Sequence, residues 1–394
     1  MSMKWLFLSN EDQIRGGAQS CCKEVAKAAI ADGAHVTFAC LRENPYQDMA
    51  DAFPSMCTVT MVDRVEPRSL RPASLKAAWR VLRSVRPDVI FFANTPSPNF
   101  FSFLALSKLA GVAHCVVSFG TDVEMPAPLP SRTYIGGWVR GANLWRREFL
   151  VSASLAYKFM TLGLFNNDDQ MKNWRAATGY PERVSKLWNY PVDLSKFRQS
   201  ERLRREVREE FNVGAGDVVI GGVGTLNAQK SFDLSIRALR LVLDRVPGAR
   251  LVIAGDGNQD ALLRLSAELG VRERVLLLGG RDDIPRLMNG FDIFCMPSTH
   301  IHESLGIVYL EAQATGVPIV VPDLPGPRRV AREGESGVVV ERGNPEAFAT
   351  AWANLAADLP LRQRLVDAGR ANVLAFGREH VYRGLLREMR VASN

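Results

Sequence analysis

At 394 residues the chain exceeds the roughly 250 to 300 residues that one hydrophobic core supports, so two domains of ordinary size are expected. Apolar residues make up 47% and charged ones 23%, the mix of a soluble globular protein, which excludes a disordered or fibrous chain. A formal charge of +7 admits an anionic partner, either a phosphate-bearing small molecule or the anionic inner leaflet of a membrane, while no zinc-finger spacing, RNP-type motif or basic arm points to nucleic acid.

The opening MSMKWLFLSNEDQIRGG carries an apolar run that meets Glu11 and Asp12 at once, too short for an export signal or a membrane span. A cytoplasmic protein is expected, peripheral on the inner face of the cytoplasmic membrane if it touches lipid. A strand at Trp5 to Ser9, a helix from Ala18 to Asp32 and a strand at His35 to Leu41 write β-α-β. Asp88 to Ala93, a helical run from Phe100 to Ala110 and Cys115 to Phe119 continue it, so the first half reads as a largely parallel, doubly wound sheet.

The second half repeats the pattern. Strands are expected at Val218 to Val223, Arg250 to Ala254, Val275 to Leu278, Ile293 to Pro297 and Ile319 to Val321. Helices fall between them, at Asp233 to Arg245, Asp260 to Leu269, Ile284 to Asn289 and Gly306 to Thr315. The expected division is 1–190, 191–375 and a final amphipathic helix, 376–394, packing back on the amino-terminal domain. The six cysteines have no paired spacing and read as small buried hydrophobes.

Three loops carry chemistry. Glu303 follows the strand at Ile293, beyond its carboxyl end, where open α/β sheets bind ligands. Ser304, Leu305 and Gly306 then open a helix whose free amides form an anion site, and Glu311 lies inside it, roughly 10 Å further along the axis. A nucleoside diphosphate sugar matches that ruler: Glu303 to the sugar, the amides to the diphosphate, Glu311 to the ribose. Two acids favoured by the helix dipole are the plainer reading.

The second loop, Gly221 to Ser231, holds a single lysine, Lys230, set to meet a phosphate or simply solvated at a helix start. Its glycines lack the dinucleotide spacing, which argues against a nicotinamide cofactor. The third, Arg15-Gly16-Gly17-Ala18, sits between strand and helix, where glycine allows close approach of a ligand or just a tight turn. His300 and His302, two apart, have no further partners in sequence, and no metal is expected.

Together these segments resemble the GT-B-fold retaining glycosyltransferases of family 4, also called glycosyl transferases group 1. The resemblance spans nearly the whole chain: Arg15 to Ala18, Asn189 to Phe197, Lys230, Gly255-Asp256-Gly257, and most specifically Glu303 to Pro318. It implies two Rossmann-like doubly wound domains facing across a cleft, the first for the acceptor and the second for the nucleotide sugar. It further implies transfer from a UDP- or GDP-sugar to a glycan or lipid-linked acceptor in cell-envelope polysaccharide or lipopolysaccharide biosynthesis, without a metal or other cofactor. An epimerase of the same architecture and a non-catalytic nucleotide-sugar-binding protein are the alternatives.

Carried over by position, Glu303 and Lys230 are the catalytic candidates. Gly16, Gly17, Gly224, Thr225, Lys230, Arg281, Glu303, Ser304, Leu305, Gly306, Ile307 and Glu311 are the donor-binding candidates, with Asp122 and Asn94 on the acceptor side. Three departures stand out. Thr225 replaces a customary arginine, leaving Arg281 or Arg15 as substitute cations. Phe119 replaces the histidine of His-Gly-x-Asp, and Asn189 to Asp193 carries an extra residue. The mixed aromatic and basic stretch Gly136 to Phe149 reads either as a surface for lipid or as an ordinary amphipathic helix.

Overall fold

The computed structural model describes residues 2–9, 17–40, 44–62, 72–93, 98–120, 134–135, 138–139, 154–214, 216–300, 303 and 305–393. The chain divides into two compact units, Met1–Pro191 with Arg378–Asn394, and Val192–Gly377.

The first unit runs β1 (Lys4–Ser9), α1 (Gly17–Ala31), β2 (His35–Cys40), α2 (Gln47–Ala52), β3 (Cys57–Met61), α3 (Pro72–Val85), β4 (Val89–Ala93), α4 (Pro98–Leu109) and β5 (His114–Ser118). A two-stranded ribbon, β6 (Tyr134–Ile135) with β7 (Trp138–Val139), precedes β8 (Leu162–Phe165), α5 (Asp168–Thr178) and β9 (Ser185–Leu187). Seven strands form one parallel sheet in the order β3-β2-β1-β4-β5-β8-β9. The run Val-Ile-Phe-Phe-Ala of β4 is buried at every position, as a parallel strand covered on both faces requires. Phe7 sits between Phe38 and Phe91 at ring separations of 5.2 and 5.4 Å, and each such buried ring contributes about 1.5–3 kcal/mol.

The second unit runs α6 (Glu201–Glu210), β10 (Val218–Val223), α7 (Phe232–Val242), β11 (Ala249–Ala254), α8 (Asp260–Glu268), β12 (Val275–Leu277), α9 (Ile284–Leu287), β13 (Ile293–Cys295) and α10 (Ile307–Thr315). It continues with β14 (Ile319–Pro322), α11 (Pro325–Val330), β15 (Val338–Val340), α12 (Pro345–Ala357) and α13 (Leu359–Val373). Its parallel sheet has the order β12-β11-β10-β13-β14-β15. The chain enters this unit at Val192 and leaves it at Gly377, and the two pair as a parallel bridge, with Val192 N–H donating to Phe376 O at 2.7 Å.

The last helix, α14 (Arg378–Ser393), belongs to the first unit. It buries Val381, Tyr382, Leu385 and Met389, sets Tyr382 5.8 Å from Trp5, and pairs Arg378 with Glu24 at 2.6 Å. All six cysteines are buried and free, the hydrophobe role expected of them.

Helix α6 is tied to the second sheet by one carboxylate. Asp292 receives Arg204 at 2.5 Å and Arg208 at 2.8 Å, and accepts the β10 amide of Val219 at 2.8 Å. Removing a buried carboxylate strands its cations, so Asp292→Ala is expected to lower unfolding free energy by about 3 kcal/mol. Denaturant titration checks this, and an unchanged midpoint would contradict the anchoring role.

Candidate functional site

The winding of the second sheet places the site. From β10 the chain moves outward to β11 and β12, then restarts on the other side of β10 with β13. At such a reversal the loops leaving two neighbouring strands diverge and open a crevice beyond their carboxyl ends. Lys230 lies in the loop after β10, and Glu303 in the loop after β13. Their side chains meet there, Lys230 Nζ to Glu303 Oε2 at 2.5 Å, with 24% and 12% of the side chains exposed.

Both loops are held from below. Asn227 organises the first, accepting the Lys230 amide through Oδ1 at 3.1 Å, and Ser231 lies 2.7 Å from Thr299 of the opposite loop. Ser298 Oγ is within hydrogen-bond distance of Glu303 Oε2 (3.1 Å) and of Gln229 O (2.9 Å), and its proton can serve either. Behind them the loop after β11 presses close: a Cβ on Gly255 would lie 1.8 Å from Gly224 O, so glycine is obligatory at that approach. An ammonium has three donors, and Glu303 takes one of them.

Helix α10 begins at Ile307, later than the Ser304-Leu305-Gly306 opening expected from sequence. Gly306 is its cap, with φ +74, and this left-handed residue breaks the helical path, leaving Glu303 in the loop rather than on the helix axis. The helical rise therefore does not by itself set the spacing from Glu303 to Glu311. Glu303 is drawn towards Lys230, so two side chains assigned separate contacts neutralise one another in this structure. Leu305 is buried, while Ile307 and Glu311 are partly exposed. Tyr309 fixes the cap: its fully buried ring covers Gly306, its hydroxyl donates to Met296 O at 2.5 Å, and burial holds its pKa well above the usual phenol value. In the first turn of α10 the Tyr309 amide bonds back to Gly306 O at 3.0 Å, while those of Ile307 and Val308 have no intrahelical partner and form a positive end beside the Lys230–Glu303 pair.

Arg281 does not stand as the substitute for the missing arginine at Thr225. It follows β12, two strands or roughly 10 Å from β10. Its guanidinium is held by Asp283 and Glu210, at 2.8 and 2.9 Å, and Arg286 joins them at 2.6 Å from Glu210. Arg286 holds the Glu210 carboxyl below its ordinary value, and Arg281 does the same for Asp283. Thr225 itself is exposed in the loop after β10.

Gly17 opens α1 in the other unit, and a Cβ there would meet nothing within 4 Å, so packing does not demand glycine. Phe119 is a core residue: it stacks on Phe165 at 4.5 Å and meets Trp174 at 4.8 Å, while its carbonyl accepts from Asn166 and Gln170. Its replacement of histidine therefore fills an aromatic cluster rather than altering a polar surface. Gly16, Arg15, Ser304, Asp122, Asn94 and most of Gly136 to Phe149 lie outside the described residues. Ser298 and Tyr309 join the site without a sequence signal, since an isolated serine after a strand and a tyrosine inside an apolar run carry no diagnostic spacing.

With this geometry in hand, likeness to known proteins is informative. Residues 204–372 match the family described as glycosyl transferases group 1, and residues 16–158 match the glycosyl transferase 4-like domain. The lipopolysaccharide core biosynthesis glycosyltransferase LpsE of Rhizobium meliloti is 35% identical over 207 residues, 52% of this chain and 59% of that protein. A GDP-mannose-dependent alpha-(1-6)-phosphatidylinositol monomannoside mannosyltransferase of Mycolicibacterium smegmatis is 34% identical over 187 residues, 45% of this chain and 49% of that protein. The chain thus spans about half the length of the curated relatives it matches. Among solved structures, Anabaena HepE in complex with UDP superposes with a TM-score of 0.81 at 20% identity, covering 99% of this chain and 100% of that one. WaaG, a glycosyltransferase involved in lipopolysaccharide biosynthesis, gives 0.70 at 16%, covering 97% and 98%. These likenesses and the two sheet orders identify the fold as GT-B.

Because the folded-state pKa values of Glu210 and Asp283 are depressed, their network stabilises fully above the unfolded carboxylate range near pH 4 and is lost as pH falls through the lower folded values. Stability measured against pH should therefore fall less steeply on the acid side in Arg281→Ala/Arg286→Ala than in the parent, starting from a lower plateau at neutral and alkaline pH; parallel acid limbs would contradict it. At the cap, Gly306→Ala is expected to cost about 2 kcal/mol or more in a thermal melt, from the left-handed φ and the Tyr309 ring 2.6 Å from the new Cβ.

Proposed function

Because the chain belongs to the glycosyl transferases group 1 family, we propose that it transfers a sugar, with retention, from a UDP- or GDP-sugar to a glycan or lipid-linked acceptor of the cell envelope. The observation that carries this reading is the Lys230–Glu303 pair at the reversal point of the second sheet, beside the amino end of α10. A diphosphate is the ligand whose charge suits an ammonium and unpaired helix amides together. Once it occupies the crevice, Lys230 turns to phosphate and Glu303 is released to the hydroxyls of the sugar. Glu311, one turn into α10, takes the ribose hydroxyls. The relatives support both donor classes: HepE has been solved with UDP and with UDP-glucose, and the mannosyltransferase relative is GDP-mannose-dependent by name.

Chemistry on this reading is same-face substitution. The bond from the anomeric carbon to the phosphate oxygen breaks as the acceptor hydroxyl arrives on that face, and the departing phosphate oxygen takes the hydroxyl proton. Negative charge grows on the diphosphate, where Lys230 and the α10 amides are already oriented, so no metal is needed to neutralise it. An anionic inner-leaflet surface is the further partner we propose, since a lipid-linked acceptor would be met there.

Removing one preoriented donor of this kind costs about 2.7–4 kcal/mol in the transition state. Lys230→Ala is therefore expected to lower turnover at least a hundredfold in an assay of sugar transfer from UDP- and GDP-sugars, and near-normal turnover would overturn the assignment. The donor is read from thermal shift: saturation with the right nucleotide sugar, at about 100 times its Kd, adds about 2.7 kcal/mol, and a panel without any stabilising nucleotide sugar would contradict donor binding.

A further inference from the structure

The first unit carries a basic face that the transfer chemistry leaves unused. At the amino ends of β5, β8 and β9, opposite the carboxyl ends where open sheets bind ligands, lies a groove of about 1030 Å³. Lys108, Lys158, Arg183 and Lys186 line it, with Glu388 of α14 as the one carboxylate, 3.3 Å from Lys186. Along α14, next to Glu388 and Val391 of the groove, Arg383, Arg387 and Arg390 recur at helical spacing around a second hollow of about 560 Å³. The residues lining the two hollows are seven lysines and arginines against one glutamate, a formal +6, with Glu379 of α14 exposed one turn before Arg383.

Two features say what it meets. Arg383 and Arg387 stand four apart, a like-charge spacing that weakens a helix, and among the described residues none of the three arginines has an ion-pair partner. An anion from outside the chain relieves that repulsion. Apolar side chains also stand beside the charges: Val391 in the groove is 67% exposed and Leu109, next to Lys108, is 76% exposed. A soluble polyanion would leave both in water. Phosphate headgroups over acyl chains take up the charges and the leucine and valine together.

We propose that this face, the outer side of α14 and the groove at the amino edge of the first sheet, docks the protein on an anionic phospholipid surface. The assignment gives the membrane partner of the preceding reading a location, and it is read without any sugar being transferred. Failure of the transferase assay and failure of docking are therefore separate results.

The test is flotation of the full chain with vesicles of phosphatidylcholine alone and of phosphatidylcholine with phosphatidylglycerol. Only the second should carry the protein. Each basic residue near an anionic leaflet strengthens partitioning about fivefold, so R383Q/R387Q/R390Q should lose at least tenfold. R237Q/R240Q/R264Q, the same charge change on exposed positions of the other unit, should bind as the parent. L109S/V391S should also weaken binding, with the charge untouched. K108Q/K158Q repeats the charge test should the α14 variant melt early. Equal flotation with neutral vesicles, no flotation, or equal losses in the α14 variant and its control would overturn the proposal. So would stabilisation by inorganic phosphate in a protein that ignores vesicles, which would assign the face to a soluble anion.

Discussion

A lysine and a glutamate 2.5 Å apart, from loops 73 positions distant, are the constraint around which the second unit is organised. They meet because the sheet winds outward from β10 in one direction and resumes on its other side at β13. The strands could keep that order with any loops, but the pair could not form without the close contacts beneath it. Gly255 lets the β11 loop lie against Gly224, Asn227 turns the chain so that Lys230 faces the crevice, and Ser298 reaches Glu303 from the strand end. Mutual neutralisation keeps both charges in a partly buried place that would otherwise penalise each. An incoming diphosphate replaces one partner and frees the other.

The first unit has the same winding but a different burden. Its carboxyl edge begins with β5 running into Phe119, whose ring is spent on the aromatic cluster with Phe165 and Trp174. Its opposite edge gathers the basic groove, and α14 lies on the unit with four apolar side chains inward and three arginines outward. The pairing of Val192 with Gly377 marks where the chain enters and leaves the second unit, so the carboxyl-terminal helix is delivered back to the first.

Much of this was legible from residue pattern, and the failures have physical causes. Strands such as Val218–Val223 and Val89–Ala93 announce themselves because a parallel strand covered on both faces is apolar throughout. β3, Cys57–Met61, does not, since it lies at the sheet edge with Thr58 and Thr60 and is buried only at Cys57. The start of α10 was displaced because apolar spacing cannot register the left-handed cap at Gly306. Glu303 and Lys230 could each be picked out singly, but their contact is a product of strand order. Arg281 looked available because nothing in its neighbourhood announces Glu210, 71 residues earlier, as its partner.

The exchange of partners at Lys230 is tested most directly by calorimetric titration of UDP into the parent, Lys230→Ala and Glu303→Gln. If the diphosphate takes Lys230 from Glu303, Lys230→Ala binds UDP at least tenfold more weakly, whereas Glu303→Gln, whose lysine is already released, binds it as tightly as the parent or more so. Equal weakening in both variants, or parental affinity in Lys230→Ala, would contradict the account.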